Sequence, residues 1–68
     1  MIKVAEYKFK DKDSCSYFRA EVRRDCGVEL QPFATDEGKQ VVFLKEGVHF
    51  FDEAQFRVLD SIAKKYAE

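Results

Sequence analysis

The sequence predicts an α+β fold, with a small antiparallel sheet of three or four strands packed by one C-terminal helix. Three observations lead there. Residues 51–66 carry apolar side chains at helical spacing; residues 2–10 and 40–45 carry strand patterns; and glycine-centred turn signals at 25–27, 35–38 and 46–47 separate the segments. Nothing in the 68 residues resembles a linker, repeat or low-complexity tract, so residues 1–68 read as a single α+β domain. The same residues allow one alternative, a βαββα order in which residues 14–26 are helical.

The C-terminal helix is the best-marked element. Asp52 is a suitable N-cap, because its carboxylate can accept from the free N–H groups of the first turn. Gln55 stands three residues later and can reach back, completing a capping box, while Phe51 and Phe56 are placed to form a hydrophobic staple. At ~100° per residue, Phe56, Leu59, Ile62, Ala63 and Tyr66 fall on one stripe about 120° wide. Glu53–Arg57 and Asp60–Lys64 are acid-before-base pairs four residues apart, and acids at the start with lysines at the end suit the helix dipole.

Residues 2–10 alternate, with Ala5, Tyr7 and Phe9 on one face and Glu6, Lys8 and Lys10 on the other, the pattern of a strand with one wet side. Ile2 and Val4 break the alternation, which suggests a strand start that is bulged or covered on both sides. Asp11 to Ser16 reads as a polar loop. Residues 17–26 fit two patterns. As a strand, Phe18, Ala20 and Val22 point inward; as a helix, Cys15, Phe18, Val22 and Cys26 form a narrow stripe with Gly27 as the residue after the cap. The strand reading is preferred, because Asp25-Cys26-Gly27 suits a hairpin loop that pairs Val22 with Leu30, and a similar register of the preceding hairpin pairs Tyr7 with Ala20 on the same face. Residues 28–34 form the next strand, with Pro32 at an edge or a bulge because it has no N–H to donate. Residues 40–45 are the clearest strand by composition.

Bulk properties narrow the function classes. Twelve basic and thirteen acidic side chains give a net charge of −1, which argues against a polyanion binder driven by bulk charge. The sequence holds no apolar run long enough to span a bilayer and no signal-peptide core, so a cytoplasmic location is expected, where Cys15 and Cys26 would be reduced thiols. Seven phenylalanines and three tyrosines supply large burial for a small core.

Motifs for chemistry are weak. Cys15, Cys26, His49 and Asp52 lack the tight ligand pairs of structural zinc sites, and Gly27, Gly38 and Gly47 cannot build a phosphate loop. No carboxylate sits isolated in an apolar run that would raise its pKa. No cofactor, metal or catalytic residue is therefore expected. Two surfaces remain. Under the strand reading Lys8, Lys10, Tyr17, Arg19, Arg23 and Arg24 form a basic face with one aromatic, of the kind that contacts single-stranded nucleic acid, although Glu6 and Glu21 share it. The second surface follows from parity: if Val42 and Leu44 face the helix, Val41 and Phe43 face away. Phe33 joins them in the register Phe33–Val41, and Phe50 adds an aromatic near the same end. An uncovered apolar cluster of this kind marks an interface.

The leading expectation is a non-enzymatic protein-binding module, an inhibitor or adaptor, working through Phe33, Val41, Phe43 and Phe50 on a partner or on a second copy as a homodimer. A small nucleic-acid-binding domain is the alternative. In size and lack of motifs the protein resembles accessory proteins of phages and mobile elements, which implies a host enzyme or defence complex as target; the resemblance carries no residue over.

Overall fold

The computed structural model describes residues 3–45, 47 and 51–68. The order is β1 (Lys3–Phe9), α1 (Lys12–Cys26), β2 (Pro32–Ala34), β3 (Gln40–Lys45) and α2 (Glu53–Tyr66). The α+β class holds, but in its βαββα form: the sheet has three antiparallel strands in the order β1-β3-β2, and two helices rather than one accompany it.

The main correction is at residues 17–26, which belong to α1 and form no strand. Asp11, expected in a loop, is the N-cap, its side chain accepting from Ser14 N at 2.8 Å. Gly27 ends the helix at φ 70°, and its N–H donates to Arg23 O at 3.0 Å. That left-handed conformation is the one glycine adopts without a Cβ penalty. With no strand at 17–26, the expected pairings of Val22 with Leu30 and of Tyr7 with Ala20 do not exist. β2 is also shorter than residues 28–34, because Leu30 is buried in the core and its carbonyl is taken by the Arg19 side chain at 2.7 Å. That bond replaces a ladder partner.

α2 follows its sequence signals. Asp52 and Gln55 form the reciprocal capping box, and Phe51 and Phe56 meet edge-on with ring centroids 5.6 Å apart. Leu59, Ile62 and Ala63 are buried, with Phe56 and Tyr66 packed beside them. Arg57 bonds Glu53 at 2.9 Å, and Lys64 lies 3.9 Å from Asp60.

β3 is the middle strand and sets both registers. Phe33 lies opposite Val41 and Tyr7 opposite Val42. The register slips between Lys3 and Ala5, where Val4 interrupts the alternation. Ala5, Tyr7, Phe9, Val42 and Leu44 turn toward the helices and join Cys15, Phe18, Val22, Leu30, Leu59, Ile62 and Ala63 in one core. Phe18 stands at its centre, 4.9 Å from the Phe9 ring and 5.6 Å from the Tyr7 ring. The helices also bond each other: Glu21 of α1 accepts from the Tyr66 hydroxyl and from Lys65 Nζ at 3.3 Å.

The edges of the sheet follow from its hydrogen bonds. Thr35 N donates to Lys39 O at 2.9 Å. In an antiparallel ladder such bonded pairs alternate, so Phe33 and Val41 bond each other while Pro32 and Ala34 turn their polar groups outward. Pro32 therefore leaves the free edge of β2 one N–H poorer and costs the ladder nothing. On the other edge Lys8 turns outward, and its carbonyl accepts from Glu68 N at 2.8 Å.

Candidate protein interface on the outer sheet face

Both helices lie on one side of the sheet. The other side carries Val41 and Phe43 from β3, flanked by Phe33 on β2 and by Glu6 and Lys8 on β1. Strand periodicity produces this: residues 40–45 read QVVFLK, so a largely apolar stretch supplies one residue to each face in turn.

The ring of Phe33 meets that of Phe43 at 5.6 Å and 55°. Phe33 is 51% exposed, whereas Phe43 is half-buried and Val41 only 6% exposed. The expectation that Val41 is open to solvent is thus corrected. It lies on the middle strand, with Phe33 and Lys8 as its register partners on either side. Phe50 and His49 lie outside the described residues.

A shallow cleft beside Val41 gives the patch a charged rim of Lys8, Asp36, Glu37, Lys39 and Glu68. Lys39 and Glu68 are joined across it at 3.0 Å, and the hydrogen bond to Glu68 raises the Lys39 ammonium above its ordinary value. An apolar centre with a rim of both signs is how protein interfaces are built.

The six basic-face residues are not united on a strand face. Lys8 and Lys10 lie on or just after β1, while Tyr17, Arg19, Arg23 and Arg24 lie on α1. Tyr17 stacks on Tyr66 at 6.2 Å, Arg19 is tied to Leu30, and Arg24 bonds Asp25 at 2.9 Å. Cys15 and Cys26 are free thiols eleven residues apart on one helix. That spacing separates them by about 16 Å, too far for a disulfide. Burial pushes both thiols up, away from the reactive thiolate. Among the described residues no three His, Cys, Asp or Glu side chains gather as metal ligands, and no helix is long and apolar enough to cross a membrane.

The cluster of Glu21, Tyr66, Lys65 and Tyr17 between the helices escapes sequence reasoning, because it needs α1 to be a helix. Compared with protein families, curated proteins and solved structures, the sequence and fold find no match.

Proposed function

We propose that the protein is a non-enzymatic binding module, an inhibitor or adaptor, that inserts Phe33 into a pocket on a larger protein partner. One observation carries this reading: a phenylalanine half open to water beside a second aromatic, on the sheet face opposite both helices. Half-exposed aromatic knobs serve as anchors when a partner's pocket encloses them.

The free edge of β2 favours contact through the face over strand addition, since it is three residues long and begins with Pro32. A standard interface takes about 800 Å² from each partner, close to a sixth of the protein's 4758 Å² surface. Phe33 and Phe43 alone are too small for that, so the charged rim must be covered too. A concave partner does both. If the protein serves a phage or mobile element, a host enzyme or defence complex is the natural partner.

The test is direct binding to a purified candidate partner. Phe33→Asp should abolish binding while leaving the circular dichroism and melting temperature unchanged, and Phe33→Ala should weaken it. Val58→Asp, on the exposed side of α2, should bind normally. Binding that survives Phe33→Asp overturns the reading. So does a concentration-dependent dimer that Phe33→Asp dissociates, because the occupant would then be a second copy.

A further inference from the structure

A second surface feature, a groove along α1, does not involve Phe33. Ser16, Arg19, Ala20 and Arg23 fall on one stripe of the helix, and Glu29 and Leu30 of the following segment face them. Between them runs a groove of about 190 Å³.

The sequence holds four arginines, Arg19, Arg23, Arg24 and Arg57, and they divide by partner. Arg24 bonds Asp25 at 2.9 Å, and Arg57 bonds Glu53 at 2.9 Å. Arg19 and Arg23, the two that line the groove, have no carboxylate partner among the described residues. Arg19 is nonetheless fixed in place: its Nε–H donates to the Leu30 carbonyl at 2.7 Å. This bond orients the guanidinium, and among the described residues its terminal Nη groups have no hydrogen-bond partner. Arg23, four residues on, places a second guanidinium on the same stripe. Planar guanidinium forks match the two oxygens of a carboxylate.

Charge decides what kind of anion fits. Glu29 lines the same groove without bonding either arginine. Its negative charge opposes a doubly charged phosphate or a polyanion but tolerates a single charge. Lys8 and Lys10, which a nucleic-acid strand would also need, lie on or beside β1. Exposed Ala20 offers an apolar contact for the methylenes of an acidic residue.

We propose that this groove binds a single peptide carboxylate, from an acidic residue or a free C-terminus, gripped by Arg19 and Arg23. Arg19 is the pre-oriented donor and Arg23 the one that closes on the ligand.

The experiment is an NMR titration read at the arginine Nε–H resonances, using the whole protein. Three N-blocked tripeptides serve as probes: alanyl-glutamyl-alanine amide, its glutaminyl counterpart, and trialanine with a free C-terminus. The glutamyl peptide or the free-acid trialanine should shift Arg19 and Arg23 saturably, which also identifies the source of the carboxylate; the glutaminyl amide should not. Arg23→Gln should weaken binding by about tenfold, the worth of one charge-assisted hydrogen bond, and Arg57→Gln should leave it unchanged. The proposal fails if no carboxylate probe saturates, if the glutaminyl amide binds equally, or if inorganic phosphate or oligothymidylate binds more tightly. It also fails if Arg23→Gln keeps full affinity with an unchanged spectrum elsewhere.

Discussion

The two helices are nearly equal in length, α1 with 15 residues and α2 with 14, yet they form for different reasons. α2 is written into its own segment, with a capping box, a staple, two ion pairs at helical spacing and a stripe of five apolar residues. α1 has an N-cap and a glycine stop but no capping box or staple, and it buries three residues, Cys15, Phe18 and Val22, as α2 buries Leu59, Ile62 and Ala63. Beside the local pairs of Arg24 with Asp25 and Glu21, its ties are long-range: Arg19 to Leu30, Glu21 to Tyr66 and Lys65, and Phe18 to β1. α2 thus depends mostly on local signals, whereas α1 relies on what it packs against. Isolated helices of this length are marginal in water, so tertiary contacts must supply the difference.

Truncating the core separates the two most strongly. Phe18→Ala should cost about 3–5 kcal/mol and Leu59→Ala about 2–5 kcal/mol, both read from denaturant midpoints. Hydrogen exchange sharpens the contrast. Phe18→Ala should release the amides of α1 before those of α2, and equal loss in both helices would mean that α1 is no more dependent on its packing than α2.

Cap removal comes next. Asp52→Ala and Asp11→Ala should each cost about 0.5–2 kcal/mol. The loss at Asp52 should be the larger, because α2 leans more on its local signals, even though the reciprocal bond from the Asp52 N–H to Gln55 Oε1 survives the substitution. A larger loss at Asp11 would reverse the comparison.

The smallest effect is in pH. The hydrogen bond from Tyr66 is the main reason that the Glu21 carboxyl stays below its ordinary value, with Lys65 assisting. A depressed carboxyl stabilises the fold above the ordinary carboxylate range, and that contribution fades as pH falls through its folded value. Glu21→Gln should therefore be less stable than the parent protein at neutral pH, and the gap should close on acidification. A gap that stays constant with pH would show that the interhelical cluster works by packing alone.

The physics of residue spacing explains what the sequence concealed. Phe18 and Val22 are four residues apart, which places them on one face in a strand and on one face in a helix, so they cannot separate the two. Cys15 could, since only a helix joins it to Phe18, three residues away. Asp11 and Ser14 could as well, but residues that cap helices also build turns. The same ambiguity misplaced the basic face, which existed only while 17–26 was a strand. For the outer sheet face, parity gave the register of Phe33 with Val41 and the division of β3 between two faces. It could not give the exposure of Val41, which depends on a residue's neighbours in the sheet rather than on its own alternation.

Pro32 has a consequence beyond the ladder. A protein that shows an aromatic pair to solvent risks joining copies of itself through that patch. Cross-β fibrils need an unbroken row of outward N–H and C=O groups to template each new strand. Pro32 removes one N–H from that row immediately before Phe33, the most adhesive residue on the face. The edge is therefore a poorer template for strand addition than the aromatic face beside it would otherwise make it.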